Sequence, residues 1–244
     1  MIKRIIQILL SALILLMPLC AMAQDFGLDI NLGLKKKIVK GLNISAEFEL
    51  RTQDMSSKME SIDAGIDMSY KPIEYFKIGA GYHFIDKYKP EHETDSGNII
   101  DNYWSPRHRV HADVTGIWPI AGFELSLRER YQFTHRSETS AKKWSSSGIQ
   151  KDDKIYDAKD SHILRSRVQA QYHIKKPELA PYFSIEVHND LADSFGIDKV
   201  RLIAGMEYSL KKHHVFDLFY RYTAGIADSD DECHLIGLGY EFKF

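Results

Sequence analysis

The chain has 244 residues, 32 Lys+Arg against 34 Asp+Glu, and a formal net charge of −2. That balance lacks the basic excess of a nucleic-acid-binding protein, so no nucleic acid partner is expected. Two cysteines are too few for a disulfide-built scaffold.

The N-terminus reads in three parts. The basic start MIKR is followed by the apolar run IIQILLSALILLMPL and then by CAMAQ, with Ala21 and Ala23 in an A-x-A arrangement before Gln24. This is the pattern of a secretory signal peptide, with cleavage expected after Ala23. The apolar run is short for a spanning helix, which needs about 20 apolar residues. Cys20 follows Leu19, whereas lipid attachment wants a small residue before the cysteine, so an unlipidated chain is expected. Residues 1–23 are therefore assigned to the signal and 24–244 to one large domain. Cys233 is then the only cysteine left, and no intramolecular disulfide is expected.

Beyond the signal, period-two alternation dominates. Phe26, Leu28, Ile30, Leu32 and Leu34 alternate with small or polar residues, and Ile44, Ala46, Phe48 and Leu50 alternate with Glu47, Glu49 and Arg51. Ile62, Ala64, Ile66 and Met68 alternate with Asp63 and Asp67. Similar segments follow near 76–84, 107–118, 123–133, 164–174, 183–188, 200–208, 216–222 and 236–244. Each reads as a strand with one apolar and one polar face. Eleven strand candidates of roughly 10 residues suit tilted transmembrane strands. Glu129 interrupts an apolar face and reads as a bulge.

A soluble sandwich would alternate too. Three features favour a membrane barrel. The polar faces carry charge into strand centres. Short connections (71–76, 120–123, 176–181, 211–214) alternate with long ones (53–61, 87–106, 137–161). Tyr70, Phe76, Trp118, Phe123, Tyr182 and Tyr208 stand near strand ends, where a membrane interface wants aromatics. Closure follows, because an open sheet edge is not tolerated in lipid. The fold class expected is an all-β transmembrane antiparallel barrel of 10 to 12 strands in the bacterial outer membrane. An even count is the rule for such barrels, so residues 26–39 are read either as a partial strand or lumen element, or as one of twelve strands.

The polar faces define the expected lumen: Glu47, Glu49, Arg51, Asp63, Asp67, Arg107, Arg109, Asp113, Arg128, Arg130, Arg165, Arg167, Glu186, Arg201, Glu207, Asp217 and Arg221. Their signs nearly balance. Either they fill the interior with ion pairs, the preferred reading, or they line a narrow polar pore for small polar solutes. The terminal GLGYEFKF places Tyr240, Phe242 and Phe244 on one face, the pattern of an assembly signal read by the barrel assembly machinery. The remaining partners expected are outer-membrane lipids and lipopolysaccharide, with Lys142 and Lys143 beside Trp144 as phosphate contacts.

The sequence offers little chemistry. His135 and Ser137 share outward parity and could form a base–nucleophile pair of a lipid hydrolase, but two residues make a thin motif and no orienting acid is evident. Ordinary strand-end residues are the simpler reading, and the balance is against an enzyme. Adjacent His213 and His214 lie in a predicted turn with no spaced partner, and the acidic runs at 152–153 and 228–232 lack calcium-loop spacing. No cofactor or metal is expected. A third reading makes the loops 87–106 and 137–161 a binding or adhesion surface.

The stretches DFGLDINLGLKKKIVKGLNISAEFELRTQD, RHRVHADV, LRERYQFTHR and YEFKF together resemble the domain-of-unknown-function family 2490, small outer-membrane barrels of Gram-negative bacteria. The resemblance spans nearly all of 24–244. It implies a barrel and a location, and it supplies no catalytic residues.

Overall fold

The computed structural model describes residues 26–53, 58–175, 178–225 and 233–244. The expected signal peptide and the acidic run at 228–232 lie outside the described residues. The strands are β1 (Phe26–Val39), β2 (Leu42–Gln53), β3 (Lys58–Ile73), β4 (Phe76–Lys89), β5 (His92–Glu93), β6 (Ile99–Ile100), β7 (Tyr103–Ile120), β8 (Phe123–Arg136), β9 (Thr139–Trp144), β10 (Gln150–Tyr156), β11 (Lys159–Tyr172), β12 (Ile174–Lys175), β13 (Glu178–Asp190), β14 (Gly196–Leu210), β15 (His214–Gly225) and β16 (Cys233–Lys243). Each of the eleven alternating segments of the sequence falls on one long strand, except that Ile174 lies in β12 and Phe244 follows the end of β16.

Those eleven strands form one closed wall. Its order is β11-β8-β7-β4-β3-β2-β1-β16-β15-β14-β13, and β11 pairs with β13 to complete the ring. Polarity is inverted relative to a soluble domain. Large apolar side chains on the outer face are exposed, Ile66 at 62% and Val168 at 57%, while Glu186 and Asp29 are buried inside at 2% and 0%. Such a surface is stable only where apolar solvent meets it.

Residues 26–39 are neither a partial strand nor a lumen element. They form the full strand β1, which pairs with β16 in parallel from Phe26↔His234 to Lys35↔Lys243. An odd count forces this. In an up-and-down ring of eleven, the first and last strands point the same way, so the final ladder must be parallel while the other long-strand pairings are antiparallel.

The seam carries a buried charge cluster. Asp29 lies opposite Gly237 and accepts from Arg221 Nη2 (2.6 Å) on β15, Arg51 Nη2 (3.3 Å) on β2, and Asn31 Nδ2 (2.6 Å). Arg221 reaches it by lying over the Phe219 ring, 5.7 Å from the centroid. Phe219 in turn lies flat over Gly237, where a Cβ would sit 2.0 Å from the ring. The contact therefore ties β15 to β1 across β16.

Two further expectations are corrected. Glu129 sits in regular register between Val114 and Ser166, with no bulge. Its carboxylate stays on the outer face and accepts from Ser166 Oγ at 2.6 Å, so a neighbour's hydroxyl satisfies it without a backbone kink. Tyr182 points into the lumen, not to the interface, because it shares parity with Ser184 and Glu186. Its hydroxyl donates to Asp217 Oδ2 at 3.0 Å.

At one end the connections are tight, as at Ala121 and Gly122, where both residues have positive φ. At the other end the long loops build structure of their own. β5, β6, β9 and β10 form a four-stranded sheet that joins both loops. Trp144 Nε1 donates to Asp101 (2.8 Å), Lys151 Nζ donates to Asn98 (2.7 Å), and Ile100 is buried.

Replacing Asp29 by alanine removes the carboxylate shared by Arg51 and Arg221; Arg51 keeps Glu49 and Glu60, so the loss falls mainly on Arg221. We expect a loss of about 3–5 kcal/mol, read as a lower urea midpoint for the folded, fast-migrating form on unheated gels. An unchanged midpoint would show that the seam does not depend on this carboxylate.

Candidate functional site: the barrel lumen

Inward positions of all eleven long strands border one cavity of about 740 Å³ in the half of the barrel next to the long loops. No residue of β5, β6, β9 or β10 lines it, so the loop sheet does not form its wall. Of the residues expected in the lumen, Glu47, Glu49, Arg51, Asp63, Arg107, Arg109, Arg130, Arg165, Arg201 and Arg221 border this space. Lys87, Arg136, Lys159 and Lys199 join them at the rim. Among the described lining residues, eleven are Lys or Arg and six are Asp or Glu. The open half is therefore cationic, although the whole chain is nearly neutral.

Asp67, Asp113, Arg128, Arg167, Glu186, Glu207 and Asp217 are not part of that lining. Most pair along the wall. Glu186 is a hub: Arg128 Nη2 donates to Oε2 (2.6 Å), Arg165 Nη2 donates to Oε1 (2.8 Å), His188 Nε2 lies 2.8 Å from Oε1, and Arg201 approaches to 3.8 Å. Arg130 binds Asp113 through both Nε (3.1 Å) and Nη2 (2.8 Å). Gln171 donates to Glu207 at 3.2 Å. Charges several strands apart also influence each other. Glu49 on β2 interacts electrostatically with Arg109 on β7 and Arg201 on β14. The ion pairs between strands join neighbours or skip one strand, as Arg128 on β8 does to Glu186 on β13, and the expected ion-pair filling applies to part of the interior only.

A second arrangement involves residues that the sequence reading did not bring together. On β3, β4 and β7 the inward residues form rows. Gly65 faces His83, which faces Arg109, and Asp67 faces Gly81, which faces His111. His83 Nδ1 lies 2.7 Å from Asp63 Oδ1, and its Nε2 lies 3.2 Å from Asp67 Oδ2. His111 Nε2 lies 3.1 Å from Asp67 Oδ1 and 3.8 Å from Asp113 Oδ2. Two glycines create the space. A Cβ on Gly65 would lie 2.3 Å from His83 Nδ1, and one on Gly81 would lie 2.0 Å from Asp67 Oδ1. The period-two spacings Asp63-x-Gly65-x-Asp67, Gly81-x-His83 and His111-x-Asp113 were the available signal.

The enzymatic candidate takes a different form. His135 is held by an acid, Asp160 Oδ1 at 2.6 Å on β11, which answers the search for an orienting carboxylate. Ser137 lies past the end of β8. Its amide donates to Pro106 O, and among the described residues no hydrogen bond joins it to His135. The base–nucleophile contact that defines such a pair is missing. His213 and His214 diverge, one toward the Lys243 carbonyl (2.7 Å) and the other toward the Tyr240 hydroxyl (2.9 Å). That second contact belongs to a set of outer-face phenol–imidazole pairs, with Tyr82–His108 (2.8 Å), Tyr131–His162 (2.8 Å) and Tyr220–His234 (2.5 Å). Such rings suit an interface with one apolar and one wet side. Trp144, beside Lys142 and Lys143, is engaged within the loop sheet by Asp101.

The family described as "Protein of unknown function (DUF2490)" matches residues 29–232. The chain belongs to this family. No curated protein matches the sequence. Two solved structures share the fold of this DUF2490 barrel. The β domain of the Bordetella autotransporter BrkA is 12% identical, over 84% of this chain and 82% of that one, with a TM-score of 0.53. The translocator domain of the autotransporter NalP from Neisseria meningitidis is 10% identical, over 78% and 72%, with the same TM-score. These identities speak for the barrel architecture alone. The DUF2490 match covers the charged lumen residues from Asp29 to Arg221 and stops short of β16.

Gly81→Ala should test the spacing. The added methyl must displace Asp67 or His111, at a cost of about 1–3 kcal/mol. Gly33→Ala meets nothing closer than Glu241 Cγ at 3.4 Å. Urea midpoints in detergent should fall for the first variant and stay near wild type for the second.

Proposed function

We propose that this chain is an integral outer-membrane barrel whose lumen works as a narrow passive pore preferring small anions. Its long loops face outward and its tight turns face the periplasm, as loop lengths in such barrels imply. The signal sequence at 1–23 supports export. Tyr240, Phe242 and Phe244 end the strand that completes the wall, which suits recognition by the barrel assembly machinery. Lipids and lipopolysaccharide cover the apolar exterior.

The observation that carries this reading is the cationic excess of the open half of the lumen. A low-dielectric wall focuses that charge and raises the local concentration of anions. Ion pairs such as Arg128 with Glu186 and Arg130 with Asp113 occupy the interior beyond that open half, so conductance should be small. The alternative, a purely structural barrel with a closed interior, differs in one measurable respect.

In planar bilayers the purified protein should give small current steps. In a salt gradient the reversal potential should have the sign of anion preference. Arg109→Gln with Arg201→Gln should move that potential toward zero. If no steps occur in any salt, the barrel does not conduct and the pore reading fails.

A further inference from the structure

We propose that Asp67, His83 and His111 form a binding site for a borderline divalent cation of the Zn²⁺ type, held on the lumen wall. The inference does not depend on whether the lumen conducts. The three ligand atoms come from adjacent strands β3, β4 and β7 and lie within 4.8 Å of one another. His83 Nε2 and His111 Nε2 stand 3.2 and 3.1 Å from the Asp67 carboxylate. Tetrahedral zinc with bonds near 2.0 Å spaces its ligand atoms about 3.3 Å apart. The two contacts fall on different oxygens of that carboxylate, Oδ2 for His83 and Oδ1 for His111, so a small rotation of the side chains brings one oxygen and both nitrogens to this spacing.

The surroundings match a metal site beyond the three ligands. Asp63 lies 2.7 Å from His83 Nδ1. A carboxylate there fixes the tautomer with the proton on Nδ1 and turns Nε2 toward the cation. Gly65 and Gly81 leave room for His83 to lie over β3 and for Asp67 to meet His111 across β4. Arg130 already occupies Asp113, which keeps that acid from competing for His111. Two imidazoles with one carboxylate select a borderline cation over calcium or magnesium, which favour all-oxygen sites. His83 and His111 both border the open cavity, so a cation has a path in and a fourth position remains for water.

The test uses tag-free protein refolded in detergent. Titration calorimetry with ZnCl₂ should give one equivalent per barrel, and Co²⁺ should give the intense visible bands of a four-coordinate site. His83→Gln and His111→Gln should each weaken Zn²⁺ binding at least 100-fold. Asp63→Asn should weaken it 10- to 100-fold. Folding of each variant is checked by fast migration without heating. Should a variant not fold, the wild type decides: Zn²⁺ must protect His83 and His111 from diethylpyrocarbonate. Absence of stoichiometric binding, binding that survives both histidine variants, or unprotected histidines would each overturn the proposal and leave a hydrogen-bonded acid–imidazole cluster.

Discussion

Every backbone amide and carbonyl in the wall must find its partner within the wall, and the barrel's other features follow from that demand. A sheet bathed in apolar solvent cannot leave an edge unpaired. With eleven long strands running up and down, closure brings the first and last strands together in the same direction. The resulting ladder is parallel, with evenly spaced, slanted bonds slightly weaker per residue than antiparallel ones. Asp29 sits in that ladder, fully buried, and gathers Arg51 from one side and Arg221 from the other. The charge cluster spans the seam where the backbone pairing is least favourable.

Closure also inverts the usual polarity. The apolar faces of the strands look outward, so cohesion inside must come from polar pairing. Buried ion pairs of this kind are costly to desolvate and become strongly unfavourable to break once formed. Glu186, reached by Arg128, Arg165, Arg201 and His188, illustrates the consequence. Its carboxylate is satisfied several times over, and the arginines lend the lumen an excess of positive charge that one acid cannot offset. Toward the long loops this excess borders open space. Inward glycines act differently. By removing a side chain from the middle of a row, Gly81 lets Asp67 and His111 meet, and a flat wall acquires a chemically defined spot.

Much of this was legible in the chain. Alternation marked all eleven strands, because one face of each meets apolar solvent and the other meets polar groups, and a period of two is the only way to satisfy both. The same parity assigned Arg109, Glu186 and Arg221 to the interior. It placed Glu129 on the outer face, where a bulge was expected, but could not anticipate that Ser166 would satisfy it in register. Tyr182 misled in the opposite sense: an aromatic near a strand end looked interfacial, yet its parity belonged to Ser184 and Glu186.

The sequence by itself determined strand positions, facing and the polar character of the interior, since these depend on residues close together in the chain. Only the tertiary structure decided that β1 closes the ring in parallel, that Asp160 faces His135, and that Asp67, His83 and His111 converge. Those outcomes depend on strand count and on the register between strands. Register is set by the summed pairing of whole ladders, so no local pattern along one strand encodes which side chain of the next will stand opposite.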